Sequence, residues 1–450
     1  MVPAEDDDEL EEPVPEPASR GNCRRSCVLT ALLVSGLVGV SAYSLDATRD
    51  QRVANAVREV EEAGLQVSDL HLVPDGPNGA DDLELAANAF DTGSTYEVYV
   101  LGGVDPVTLS KALKDPSSKG GQRLYMPEDP QSPATLKEAL TLFVAAVDQI
   151  TPQIEAGLSK EVGWAVEFEV KGSKGCDAIG IVDELIKVLS VRSGVRMLEG
   201  NSAGAYADLE LCLALAKTLT IPTSFTRYLR NRGLDRCLFL FEGLLALGPP
   251  PPPEQRARIL GNLRAFKTDF GLTQALLGDL HEARLLADAP PPASFPKEHP
   301  GPRARLLYGS WRASHVEVLA KCVLASRQPP QEFRRFLASL RQEEGAGPYR
   351  ETVVSTFHVF ERKNREALTR LRLAIRGIEL LDLPQLPQSL SDMPFDACLF
   401  DKRRCNYRLD AERAVLWSVG PDKIDQAGVP AWDSDGATDD YPFRIPRPKR

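Results

Sequence analysis

The sequence predicts a mainly α protein with one transmembrane helix, a body of helical hairpins of the tetratricopeptide sort, and a small C-terminal β-hairpin module. Three observations carry this. An uncharged apolar run, Cys27 to Leu45, stands near the start. Apolar residues at helical spacing dominate from Cys176 to Leu381. Beyond Leu381 the helical period gives way to short alternating stretches between turn residues.

The apolar run, "CVLTALLVSGLVGVSAYSL", is long enough to cross a hydrocarbon layer of about 30 Å at about 1.5 Å per residue. Arg20, Arg24 and Arg25 precede it and Asp46 follows it. The positive-inside rule then puts the N-terminus in the cytoplasm and everything after Asp46 outside. That predicts an inner-membrane, single-pass protein with a periplasmic body. Val40 and Ala42 would also suit cleavage of a signal peptide. The long acidic stretch from Glu5 to Glu12 is unlike the short basic start of such a peptide. An uncleaved signal anchor is therefore expected, preceded by a disordered acidic tail over 1–26.

The remainder divides into a membrane-proximal α+β region over 46–175, a helical-hairpin body over 176–345, and a long helix with a terminal module over 346–450. Ala47 to Ala63 reads as a helix stopped by Gly64, and Asp81 to Phe90 as another. Tyr96 to Leu101 and Trp164 to Val170 alternate with period two and read as strands, with a helix over Leu136 to Ile154 between them. Ile179 to Met197 and "EGNSAGAYADLELCLALAKTL" read as a helix pair broken at Gly and Asn, with small residues at the close approach. Further helices are predicted over 223–247, 253–266, 273–287, 303–326, 331–341 and 349–381. Proline runs at 249–253 and 290–292 separate them. Cys405 to Arg408 and Ala414 to Val419 read as paired strands, and Tyr441 to Ile445 as an edge segment near Trp417.

The words "EEAGLQVSDL", "VPDGPNGA" and the helix after "EGNSAGAYAD", then "LPQSL", "YRLDAERAVLWSVGPDKIDQAG" and "DYPFRI", span most of the chain after the apolar run. In this order they resemble a group of bacterial single-pass membrane proteins of unassigned activity. Those proteins carry a helical extracytoplasmic body and a terminal piece like that of type II secretion pseudopilins. Ser418, Gly420 and Asp422 match the "SxGxD" turn of that piece. The glycine-phenylalanine start at which prepilins are cleaved is lacking, so pilin-like polymerisation is not implied. The resemblance implies a shared terminal module, whose acidic loop holds calcium in some pseudopilins, and no activity.

Chemistry-bearing motifs are few. The net charge of −11 leaves no basic face for nucleic acid. In "WDSDGATDDYPFRIP", Asp433, Asp435, Asp439 and Asp440 offer hard oxygen donors around Gly436, with Asp422 or Asp425 nearby. Calcium is the one cofactor these residues suggest, and a solvated polar loop is the alternative. Of the eight cysteines, Cys398 and Cys405 flank a short polar segment and are candidates for a local disulfide in an oxidising compartment. Cys212, Cys237 and Cys322 fall on apolar helical stripes and read as core. The five histidines are dispersed, and "HEAR" at His281 lacks a second zinc ligand. "VKGSKGCDAIG" lacks the order of a phosphate loop. The functional expectation is a non-enzymatic interaction or scaffold protein with a protein partner. The alternative is a cell-envelope hydrolase whose site gathers His281, His315 or His358 beside carboxylates.

Overall fold

Gly200 and Asn201 set the first hairpin. Gly200 takes a left-handed φ of 84°, which glycine adopts without a Cβ penalty. Asn201 then caps the next helix by accepting the Gly204 N–H at 2.9 Å. The computed structural model describes residues 48–66, 76–93, 106–115, 135–164, 175–220, 223–266, 272–288, 302–342, 348–398, 403–420, 423–428 and 440–447. These hold α1 (48–62), α2 (Gly79–Gly93), α3 (Pro106–Lys114), α4 (Leu136–Leu158), α5 (Gly175–Leu198) and α6 (Ser202–Thr218). They continue with α7 (Ser224–Leu247), α8 (Pro253–Ala265), α9 (Leu272–Asp288), α10 (Pro302–Ala325), α11 (Pro330–Gln342) and α12 (Pro348–Leu380). Three strands close the chain: β1 (Asn406–Leu409), β2 (Arg413–Ser418) and β3 (Tyr441–Pro446).

The helices form two apolar cores. The first is built by α2 to α8, the C-terminal part of α12 and the sheet. Within it, α5 and α6 lie side by side as the predicted pair, and α7 packs on both. Helices α2 and α4 cross where Gly79 meets Gly157, and a Cβ on Gly79 would lie 2.1 Å from the Gly157 carbonyl oxygen. The start of α4 is fixed by a capping box between Thr135 and Glu138, 3.2 Å in each direction.

The second core holds α1, α9, α10, α11 and the start of α12. It is not contiguous in the chain. Helix α1 reaches it across the sequence, and Arg52 grips Glu317 of α10 through two 2.7 Å bonds.

Helix α12, 33 residues long, runs through both. Val354 and Phe357 enter the second core. Leu371, Leu373, Ala374, Ile378 and Leu380 enter the first.

The terminal module is a three-stranded antiparallel sheet in the order β1-β2-β3, one strand more than the predicted hairpin. Trp417 lies opposite Pro442. Strand β3 is an edge, so the missing Pro442 donor disturbs no ladder on its outer side. Phe443 and Ile445 point inward and are buried. The Phe443 ring rests on the bare backbone of Gly377 in α12, and it lies 6.0 Å from Phe241 of α7.

The transmembrane expectation is corrected. Among the described residues no helix is long and apolar enough to cross a membrane. The buried stripes of these helices alternate with charged faces, as packing against protein requires. The run Cys27 to Leu45 lies outside the described residues, as does the 1–26 tail. The signal anchor, the membrane partner and the inner-membrane, periplasmic address therefore have no support from the fold. The strand expected over Tyr96 to Leu101 also lies outside the described residues. Of the one expected from Trp164, only Trp164 is described. It is irregular and buried, with its indole N–H 3.4 Å from Thr218 Oγ1.

Candidate functional site

Where the two cores meet, the interior turns polar. The first turns of α7 bury Thr223, Ser224, Thr226, Arg227, Arg230 and Asn231, and the middle of α12 buries Glu361, Glu366 and Thr369. Burying polar groups is unfavourable unless each finds a partner, and the belt is arranged accordingly. Asn364 Oδ1 accepts from Arg227 Nε at 2.9 Å and from Asn231 Nδ2 at 3.2 Å. Glu361 accepts from Arg334 of α11 at 2.9 Å and from Arg365 one turn on. Lys363 reaches Glu366 at 2.7 Å. Arg230 lies 4.6 Å over the Phe266 ring, and burial pushes its guanidinium down to about 10.

Two local rules place these residues. Thr223 is extended and caps α7, its hydroxyl accepting the Thr226 N–H at 3.2 Å. On α12 the apolar stripe breaks between Phe360 and Leu368, where "ERKNREA" faces α7 and α11 instead. At the other side of the belt, Asp279 of α9 accepts the Ser224 N–H at 2.9 Å. A second carboxylate, Glu282, follows it on the same helix. Burial pushes Asp279 up to about 7 against the pull of the Ser224 bonds, and Glu282 adds to the rise.

The belt continues to the terminal module. Arg370 pairs with Asp235 of α7 at 2.8 Å and lies between the rings of Tyr441 (4.5 Å) and Phe239 (5.3 Å). Arg444 of β3 pairs with Glu242 at 2.9 Å. Burial raises Asp235 and Glu242, opposed by these arginines. It also raises Tyr441, as does the charge of Glu366 beside it. Asp235, Glu242, Arg370, Tyr441 and Phe443 line a cleft of about 20 Å³. That is room for roughly one water molecule and far below the several hundred Å³ typical of a small-molecule site.

Further along the module, Asp396 accepts from Ser418 Oγ at 2.6 Å and from the Cys398 N–H at 2.9 Å. The Ser418 hydroxyl also accepts the Gly420 N–H at 3.0 Å. The serine of the "SVGPD" turn is therefore a structural tie.

Of the aspartates suggested for calcium, Asp433, Asp435 and Asp439 lie outside the described residues. Asp440 is buried, and its Oδ2 accepts the N–H groups of Gln426 (3.1 Å) and Gly428 (2.8 Å). Asp425 accepts from Trp417 Nε1 at 2.9 Å. Among the described residues no three metal-binding side chains converge.

Cys398 and Cys405 are buried free thiols. Phe395 pairs with Arg404, and the Cys405 N–H bonds Pro394 O at 2.9 Å. Cys405 thus lies opposite Pro394, four residues before Cys398, and the expected disulfide is not formed. His281, His315 and His358 sit on α9, α10 and α12, and none lines the cleft. Burial pushes His315 down; His358 is pushed down by burial and then by Arg334 and Arg341.

The belt residues escaped the sequence reading. Their signal was there: arginine and asparagine in "TRYLRNRGLDR", and charge interrupting the α12 stripe. Comparison with known proteins finds no matching family model, no matching curated protein and no matching solved structure.

Proposed function

We propose that this chain is a non-enzymatic interaction protein, a helical scaffold that presents the outer faces of its hairpins to a protein partner. The observation that carries this reading is the use made of charge at the contacts between elements. Arg192, Arg370, Arg444 and Arg334 each bind a carboxylate on a neighbouring element: Asp208, Asp235, Glu242 and Glu361. Charges committed in this way orient helices and do not face a substrate-sized space. The helical-hairpin plan supports the same reading, since stacked helix pairs make extended surfaces for partners.

The test is site-specific photocrosslinking in the cells that express the chain. A photoreactive residue would replace, one at a time, the exposed apolar residues Leu85, Leu142, Val359, Phe395 and Ile424. The reading expects one protein to recur as the adduct at two or more neighbouring sites. Crosslinks confined to the chain itself, with purified protein that hydrolyses ester, peptide or glycoside substrates, would replace it with the hydrolase alternative.

A further inference from the structure

The contact between Asp279 and Ser224 joins elements of different cores: α9 belongs to the second, α7 to the first. Asp279 Oδ1 accepts the Ser224 N–H at the start of α7. Its other oxygen, Oδ2, is shielded from solvent and has no hydrogen-bond partner among the described residues. A charged carboxylate in that position lacks the second acceptor bond that would offset its desolvation. A neutral carboxyl avoids this cost and still accepts from Ser224.

We propose that Asp279 is a proton-sensitive latch between the two cores, closed while its carboxyl is neutral and loosened when the carboxyl ionises. The groups around it agree. Helix α7 presents the Ser224 N–H and hydroxyl, which favour ionisation but do not outweigh burial, and, three residues on, Arg227, which is bonded to Asn364. Glu282 on α9 adds negative charge and disfavours ionisation. Helix α10 carries His315, which burial keeps neutral to lower pH and which supplies no compensating cation.

The sign follows from linkage. The closed-state carboxyl is raised from 3.8 to about 7. Protons therefore hold the latch closed at low pH, and the stabilisation is lost progressively as pH rises from about 4 to about 7. Above that it is flat, because both states are ionised. If opening exposes Asp279 to water, the opening constant rises by up to about tenfold per pH unit in that window.

The experiment is hydrogen exchange of the full chain, followed by mass spectrometry on peptides covering 224–231 and normalised to intrinsic rates. The expected result is protection that falls up to about tenfold per unit between pH 5 and 7 and then levels off. In Asp279→Asn the slope disappears while the circular dichroism stays native. Ser224→Pro is the second variant. It removes the Ser224 N–H and hydroxyl, both of which favour the ionised carboxyl, at a first helical position where proline is tolerated, after Thr223, which is already extended at ψ 156°. With both donors gone the carboxyl is harder to ionise, so the plateau should move to higher pH. A flat wild-type profile, or an Asp279→Asn profile with the wild-type slope, overturns the proposal.

Discussion

Arg192 and Asp208, both 1% exposed, form a two-bond ion pair between α5 and α6, with Nη2 to Oδ1 at 2.6 Å and Nε to Oδ2 at 3.2 Å. Asp148 of α4 receives the second amino group of Arg192 at 2.7 Å, and Arg196 bonds both aspartates. Burial raises Asp208, opposed chiefly by Arg192. A pair this deep adds little over an apolar replacement, yet breaking it strands a charge. Arg192→Ala should lower unfolding stability by about 3–5 kcal/mol. The double variant Arg192→Met with Asp208→Leu should lose much less than the sum of the single changes. Urea denaturation checks this, and additive losses would contradict it.

The terminal sheet is seated by a glycine. A Cβ on Gly377 would stand 2.5 Å from Cε1 of Phe443, so Gly377→Ala forces the ring or the strand outward. Overpacking of this kind costs about 1–3 kcal/mol, while the better helix propensity of alanine returns up to about 1 kcal/mol. The net expectation is a lower melting temperature, restored in part by Phe443→Leu in the same chain. No loss in Gly377→Ala would show that β3 is seated otherwise.

Cys398 and Cys405 should resist thiol reagents in the folded protein. Burial pushes the Cys398 thiol up to about 12 and raises Cys405 as well, so little thiolate forms at neutral pH. Mass spectrometry after brief alkylation should find both unmodified in native protein and both modified in denatured protein. Rapid native labelling of either would place it at the surface.

Asp440 offers a test of the calcium idea. Its Oδ2 holds two backbone N–H groups, so Asp440→Ala should destabilise the chain by about 2–3 kcal/mol without added metal. If the aspartate held calcium instead, the ion would raise the melting temperature of the unsubstituted chain and leave that of the variant unchanged.

Much of the helical fold was legible. The Gly200–Asn201 break, the prolines before α8 and α10, and the stripe of α12 each act locally, so helix bounds could be read from them. The extended form of Tyr441 to Ile445 and its place near Trp417 were legible from the alternation of Tyr441, Phe443 and Ile445; its register on β2 was not. What could not be read was which stripes share a core. Val53 and Val57 look like any amphipathic helix, and nothing local sends them to α10 rather than to α2. The belt was hidden for a related reason. Arg227, Asn231 and Asn364 look like surface residues until a partner helix covers them. The apolar run after Arg25 satisfies a membrane rule by composition alone, and no described helix repeats that pattern.

The two-core account is tested most directly by hydrogen exchange across the whole chain in increasing urea. Two apolar clusters separated by buried polar contacts should open as two cooperative units. The account predicts that α1, α9, α10 and α11 lose protection together, at a urea concentration distinct from that of α4, α5, α6 and α7. A single concentration at which all these helices exchange together would contradict it.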